Sequence, residues 1–227
     1  MIEPIVRQPS GGPNLRPMDA FESEATALTA ALASLTDAAW SRPTRCSPWD
    51  VRDLLAHVHV AVARVPGMLV AEPPDRAEVS AVDYYRPDAR FSDATNAARI
   101  ATAQAEAAAR PGPQVLAGFT EMWQRVAALC RQEPPNRLVR TRHGDAMLLG
   151  DFLTTRVVEM AVHGLDLADA LAVPAWLTEQ AARVLQELLL GPARTAPDPE
   201  HFLRAATGRA DDPDLLARLK PRRLALG

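Results

Sequence analysis

The residues with the clearest capacity for chemistry are a glutamate and a histidine four positions apart, Glu159 and His163. They lie in an apolar stretch that reads as a helix, and residues four apart on a helix share one face. A carboxylate and an imidazole at this spacing can hold one metal ion, and zinc accepts both ligand types. The same spacing also occurs in ordinary Glu–His pairs on protein surfaces. The neighbouring Val157, Val158 and Val162 favour the metal interpretation, because a buried glutamate and histidine both need partners to offset desolvation.

A second candidate is the pair His57 and His59, which lies in another apolar helical stretch. The buried stripe predicted for this helix consists of Val51, Leu54, Leu55, Val58 and Val62. The two histidines flank that stripe on opposite edges, so periodicity does not choose between them. A single histidine on an apolar face is more often a hydrogen-bonded core residue than a metal ligand, and that alternative stays open at this point.

Two stretches together resemble the mycothiol-dependent maleylpyruvate isomerase family, within the DinB-like metal-binding helical bundles. One runs from Trp40 to His57, and the other from Arg156 to Leu167. They follow each other in the family's order, about 100 residues apart, and the resemblance covers roughly residues 20–190.

The resemblance implies a ligand set of His57, Glu159 and His163, which gives the ligand role to His57 and leaves His59 as its neighbour. Zinc is the expected metal, with nickel, manganese and iron as alternatives. Mycothiol is the expected thiol co-substrate.

Three protein ligands leave a coordination position open, as in catalytic sites. A thiol bound there would lose its proton, and the resulting thiolate would attack a small electrophile. The predicted activity is therefore that of a mycothiol-using S-transferase or isomerase. A metal-dependent hydrolase, with water in the open position, and a non-catalytic thiol-binding or metal-binding module are the alternatives.

Arg86 is the predicted catalytic residue. It follows Tyr84 and Tyr85 in an irregular stretch over residues 71–92, and functional residues concentrate in such loops. Its guanidinium could clamp a carboxylate of the thiol or of the electrophile. Asn96 and Arg99, one helical turn apart, are further candidates for the cavity, with solvated helix surface as the alternative.

Metal-ligand histidines usually have a second hydrogen-bond partner. Asp166 follows His163 by three residues, and Asp53 precedes His57 by four, so either carboxylate could hold an imidazole. The alternative is that both are helix-terminal or surface acids.

The elements that must position these residues are helices. The predicted helices span residues 18–35, 47–65, 93–110, 113–132, 151–172 and 178–190, with a short one near 202. For the second helix, Ser47 is the predicted N-cap and Pro48 the first helical residue. A short hairpin is predicted where residues 138–142 and 146–148 flank His143.

This pattern predicts an all-α fold, a DinB-like four-helix bundle with additional C-terminal helices. Residues 1–17 are a predicted flexible leader, 18–191 the metal-binding bundle, and 192–227 a short C-terminal extension packed on it. The isomerase is expected to carry a larger C-terminal domain than this extension.

Composition limits the other functions. Of 227 residues, 48% are hydrophobic, and a net charge of −3 argues against a nucleic-acid surface. The two cysteines, Cys46 and Cys130, lack the spacing of a metal knuckle and are read as a loop residue and a core residue.

The N-terminus lacks the apolar segment of a signal peptide, and no run of 18 apolar residues predicts a membrane span. A cytoplasmic protein is expected. Its partners are a small thiol and a small electrophile rather than nucleic acid or membrane, and the sequence leaves monomer and homodimer open.

Overall fold

Helices form most of the molecule in this computed structural model, which describes residues 15–85, 92–108, 110–191 and 194–219. The helices are α1 (Leu15–Leu32), α2 (Asp37–Trp40), α3 (Val51–Val62), α4 (Val65–Val70), α5 (Asp93–Ala108), α6 (Gly112–Cys130), α7 (Leu149–Leu171), α8 (Glu179–Leu190), α9 (Pro199–Ala206) and α10 (Pro213–Leu219). The strands β1 (Leu138–Arg140) and β2 (Ala146–Leu148) form an antiparallel hairpin in which Val139 pairs with Met147. The predicted all-α class and the predicted hairpin are both confirmed.

A bundle of long helices encloses an aliphatic core. Helix α7 packs against α1 and α3, and α6 packs against the same two helices. Helix α5 lies on α3, and α8 lies on α1 and α7. The largest fully buried side chains include Phe21, Leu28, Leu54, Phe119, Phe152 and Met160. Burying such a side chain contributes about 1.5–3 kcal/mol each.

Helix α7 is the central element and is buried on nearly every side. A helix that is apolar all round belongs in an interior. Polar groups on such a helix need partners inside the protein, and α7 carries both Glu159 and His163. Its C-terminal end is marked by Ala172, whose φ of 56° is left-handed.

The start of α3 differs from the prediction. Trp49 N–H donates to the Cys46 carbonyl at 3.0 Å, so residues 46–49 form a turn instead of helix. Asp50 is the N-cap, because its Oδ1 accepts the Asp53 N–H at 2.8 Å. The prediction of Ser47 as N-cap was therefore wrong.

The same helix also ends earlier than predicted. Helix α3 stops at Val62, and Pro66 lies in the first turn of the separate helix α4. Proline is tolerated there, since the first N–H groups of a helix have no intrahelical partner.

The remaining differences lie at the ends and in short helices. Leu15–Pro17, predicted as leader, form the first turn of α1, and residues 1–14 lie outside the described residues. The short α2, α4 and α10 were not predicted. Helix α9 packs on α7 and α8, while the domain boundaries at 17 and 191 stay predictions.

One described stretch, Val51–Val70, is long and apolar enough to cross a membrane by length and composition alone. It comprises α3 and α4, and 56% of the tested window is buried inside the fold. A core helix passes the same test, so the stretch is weak support for a membrane span.

Candidate metal centre

Three side chains from two packed helices converge at one cavity. His57 comes from the second turn of α3, and Glu159 and His163 come from successive turns of α7. Their candidate ligand atoms all lie within 4.8 Å of one another. The structure thus brings together the three residues that the resemblance implied.

The distances suit a shared cation. Glu159 Oε2 lies 3.4 Å from His57 Nε2 and 3.5 Å from His163 Nε2. Two ligand atoms each about 2.1 Å from a tetrahedral zinc ion lie about 3.4 Å apart, and zinc takes both ligand types. An N–H···O hydrogen bond is typically shorter, about 2.9 Å. Two imidazoles and one carboxylate in this arrangement therefore fit zinc or a similar divalent ion.

The far side of the His163 ring is held by Asp166. Asp166 Oδ2 lies 3.1 Å from His163 Nδ1. An ionised carboxylate only accepts hydrogen bonds, so Nδ1 carries the proton and donates. Nε2 then faces Glu159 and His57. Of the two acids considered as partners for a histidine, Asp166 has this role, whereas Asp53 lies at the start of α3, where its N–H is bonded to the Asp50 cap.

Burial and these contacts set the protonation of the site. Burial lowers the pKa of His57 to about 4, although Glu159 opposes the shift. Burial would lower the pKa of His163 too, but its hydrogen bonds, above all with Asp166, outweigh this and raise it well above 6.5. Burial would raise the pKa of Glu159, yet contacts with both histidines hold it well below 4.5. The metal-free site therefore balances one carboxylate against one imidazolium beside a neutral imidazole.

A second group of donors shares His163. Cys46 Sγ, His163 and Asp166 also offer atoms within 4.8 Å of one another, and the Cys46 thiol donates to Asp166 Oδ2 at 3.3 Å. Both Asp166 oxygens, however, already accept hydrogen bonds from the Arg209 guanidinium. Burial would raise the pKa of Asp166, but His163 and Arg209 together lower it far below its usual range. This group therefore suits an ion-pair network better than a second metal.

The candidate ligands open into a cavity of about 250 Å³. Its other walls come from the turn before α3, the end of α3, the 3-10 turn Asp83–Tyr85, helix α5 and the hairpin. The polar and aromatic lining residues besides the three ligands are Cys46, Ser47, Trp49, Arg64, Tyr84, Tyr85, Asn96, Arg99, Thr102, Arg142, His143 and Arg156. This volume lies just below the usual range of ligand pockets, about 300–1,000 Å³.

Positive charge dominates this lining. Four arginines face one acid, Glu159, among the described lining residues. Burial, together with the charges of Arg142 and Arg156, lowers the pKa of Arg64 to about 10. Burial also lowers the pKa of Arg142, and nearby arginines add to this shift. Cations that repel one another in a partly buried space create a site for an anion.

Sequence reasoning missed three of these four arginines. Arg64 follows α3, Arg142 lies at the hairpin tip, and Arg156 lies one turn before Glu159 on α7. Arg156 Nη2 is 3.9 Å from Glu159 Oε1, and its Nη1 donates to the Ala61 carbonyl at 3.1 Å. The position of Arg156 on the Glu159 face of α7, three residues earlier, was a signal that could have been used.

The other predicted residues have different outcomes. Arg99 lines the cavity and donates to Asn96 Oδ1 at 3.0 Å, and Asn96 lines it as well. His59 is buried elsewhere, with Nδ1 3.6 Å from Glu106 Oε1.

Arg86, the predicted catalytic residue, lies outside the described residues, so its role stays a prediction. Cys130 is a buried thiol whose pKa burial raises to about 12, as expected for a core residue.

The fold and this donor set define the class of protein: a DinB-like helical bundle with a candidate centre of two histidines and one glutamate. The sequence model of the mycothiol maleylpyruvate isomerase N-terminal domain matches residues 21–168. This match spans more than half of the chain, and the chain belongs to that family, which is a family of enzymes.

A solved structure supports the fold. The crystal structure of the mycothiol-dependent maleylpyruvate isomerase superposes with a TM-score of 0.58 at 15% identity. The match covers 86% of this chain and 89% of that chain. The expectation that the isomerase carries a larger C-terminal domain stays a prediction. No curated protein matches the chain significantly.

Proposed function

We propose that this protein is a metal-dependent enzyme that uses mycothiol as a thiol co-substrate, as an S-transferase or isomerase acting on a small anionic electrophile. The observation that carries the proposal is the convergence of His57, Glu159 and His163 within 4.8 Å at the cavity. Family membership supports mycothiol as the thiol. A cytoplasmic location and a small-molecule partner set are part of the same proposal.

His57, Glu159 and His163 would hold the metal, with zinc as the expected ion. A divalent metal in such a site supplies one kind of chemistry: it lowers the pKa of a bound thiol so that the thiolate forms at neutral pH. The protein contributes a neutral His57, an ionised Glu159 and a His163 ring oriented by Asp166. Neutral His57 and ionised Glu159 are already in the state that a metal ligand requires, whereas His163 would release its Nε2 proton on metal binding.

The arginines define the second reactant. A thiol brings one negative charge, its thiolate, to the metal end of the cavity. Arg156 faces Glu159, so the positive charge left for an anionic group of the electrophile comes from Arg64 and Arg142. Carboxylates are the anions that guanidinium groups bind in a fork geometry. An electrophile with at least one carboxylate is therefore the proposed substrate class.

A hydrolase would need a base beside the metal to activate water. Among the described lining residues, Glu159 is the only acid, and it is already a candidate ligand, while the remaining imidazole, that of His143, lies at the hairpin tip against Tyr84. This observation favours thiol chemistry over the hydrolase.

The experiment is a metal and thiol titration of the intact chain. The protein is purified without chelator, its metals are measured by mass spectrometry, and mycothiol is titrated by calorimetry. We expect about one metal per chain and mycothiol binding, with both lost in His57→Ala and Glu159→Gln. His59→Gln is the matched control, since His59 lies two residues from His57 on α3 but does not line the cavity.

Three outcomes would contradict parts of the proposal. A wild-type protein without bound metal would reject the metal centre. A metal-loaded protein that does not bind mycothiol would reject the thiol chemistry and favour the hydrolase. Loss of metal in His59→Gln to the same degree as in His57→Ala would show that the effect is one of folding.

A further inference from the structure

Two aspartates on α7, Asp166 and Asp169, are each held by an arginine of the C-terminal segment. Arg209 donates to Asp166 through Nε to Oδ1 at 2.7 Å and through Nη2 to Oδ2 at 2.6 Å. Arg204 donates to Asp169 through Nη1 and Nη2, both at 2.9 Å. Both pairs are bidentate, and both attach the region of α9 to α7.

Only one of these pairs contacts a candidate metal ligand. Asp166 Oδ2 accepts the His163 Nδ1–H at 3.1 Å. The Asp166 side chain is 0% exposed and that of Arg209 5%, whereas the Asp169 side chain is 45% exposed. Breaking a buried pair has a larger effect than breaking an exposed one.

We propose that Arg209 is a positioning residue for His163, acting through Asp166, so that the C-terminal segment controls the geometry of the metal centre. The inference rests on the proposed metal site. The planar guanidinium occupies both carboxylate oxygens, which prevents rotation of the Asp166 side chain. Oδ2 is then fixed opposite Nδ1, and the ring keeps Nε2 directed towards Glu159. Partners of this kind orient the ligand and set its affinity for the metal.

The guanidinium of Arg209 is itself held in place. Its Nη1 donates to the Thr207 carbonyl at 3.0 Å. Arg45 is the other cation near Asp166, with Nε 3.9 Å from Oδ1, and its side chain is 44% exposed. This distance is too long for a hydrogen bond, so Arg45 does not reproduce the bidentate contact that Arg209 makes with Asp166.

The test compares Arg209→Gln with Arg204→Gln, which removes the neighbouring pair without touching His163. Zinc affinity is measured by competition with a chromogenic chelator, and unfolding of the metal-free proteins is measured in denaturant. We expect Arg209→Gln to weaken zinc binding by about 10- to 100-fold, the range found for such partners. Arg204→Gln should change zinc affinity less than twofold. The expected result for Arg209→Lys is a partial recovery.

Equal losses of zinc affinity in Arg204→Gln and Arg209→Gln would overturn the inference, because they would indicate loosening of the whole C-terminal segment. A zinc affinity in Arg209→Gln within twofold of the wild type would overturn it as well.

A readout without metal separates this inference from the proposed function. Imidazole ¹⁵N spectra of the metal-free protein report the Nδ1–H proton of His163, assigned with His163→Ala. If the wild type binds no zinc, the metal proposal fails, and this signal alone decides the positioning role. Its loss in Arg209→Gln but not in Arg204→Gln supports the role, and its persistence in both rejects it.

Discussion

The indole of Trp49 lies against the imidazole of His57, with ring centroids 4.7 Å apart and ring planes inclined by 25°. Trp49 is buried in the turn that precedes α3. The candidate ligand is thus supported by an aromatic face and contacted at Nε2 by Glu159. Ligand geometry at this site depends on the turn as well as on the two helices.

The stack predicts an effect of Trp49 on metal binding. Trp49→Ala should lower zinc affinity about tenfold or more, because a supporting contact of a ligand is lost. Trp49→Phe should stay close to the wild type, since a flat ring remains. Competition with a chelator measures both. An affinity in Trp49→Ala equal to that of the wild type would show that the stack does not orient His57.

The arginines that line the cavity predict which residues bind the substrate. Arg142→Gln and Arg64→Gln should raise KM for a carboxylate-bearing electrophile by about 10- to 100-fold, since a hydrogen bond to a charged group contributes about 1.5–3 kcal/mol. Metal content should not change, because neither residue contacts the ligands. Steady-state kinetics with metal analysis tests this.

The hairpin supplies the control for that experiment. Arg140 lies on the same hairpin as Arg142 but is half exposed and donates to the Gly144 carbonyl at 2.6 Å. Arg140→Gln should leave KM unchanged. An equal rise in KM in Arg140→Gln would attribute the effect to the hairpin's conformation and not to charge in the cavity.

Glu24 predicts a pH dependence of stability. It is 1% exposed, and its Oε2 accepts hydrogen bonds from Thr178 N–H at 3.0 Å and from the Thr178 hydroxyl at 2.7 Å. Burial raises its pKa from 4.5 to about 7, despite these hydrogen bonds. A raised folded-state pKa stabilises the fold below about pH 4.5, and this contribution is lost as the pH rises through 7.

The variant Glu24→Gln should remove that dependence. At pH 8 it should be more stable than the wild type by about 1–3 kcal/mol, since one pKa unit corresponds to about 1.4 kcal/mol. The difference should shrink or reverse at pH 4.5. Denaturant unfolding of metal-free protein at both values measures it. A constant difference between the two pH values would contradict the assignment.

Gly112 and Gly67 predict opposite outcomes for one substitution. A Cβ at Gly112 would overlap the indole of the buried Trp40, whereas nothing lies within 4 Å of a Cβ at Gly67 in α4. Gly112→Ala should destabilise by about 1–3 kcal/mol through overpacking. Gly67→Ala should be neutral or stabilise by up to about 1 kcal/mol, because glycine weakens a helix. Thermal unfolding measures the stability of both variants. A loss of stability in both would argue against the described packing.

Local patterns predicted the long helices and the part of the site that lies on α7. The long apolar run of α7 required a buried helix, and its four-residue spacing placed Glu159 and His163 on one face. The predicted start of α3 was wrong because Ser47 and Asp50 are both residue types that favour the N-cap position. Only the turn closed by the Trp49 N–H decides between them.

The rest of the site depends on contacts between distant parts of the chain. Arg142 reaches the cavity only because the hairpin folds onto the bundle beside Tyr84. Arg209 lies 43 residues after Asp166 in a surface-like segment, and periodicity carries no signal for that pairing. The charged residues that distant segments contribute to this site are therefore the part that sequence patterns predict least well.

His57 and Glu159 are 102 residues apart in sequence and lie on different helices. An ion shared between them would join α3 to α7 as a removable cross-link that only the folded chain binds. Opening of α3 away from α7 would then require release of the ion. Metal loading should accordingly appear as slower amide hydrogen exchange in these two helices, with α1 and α8 less affected.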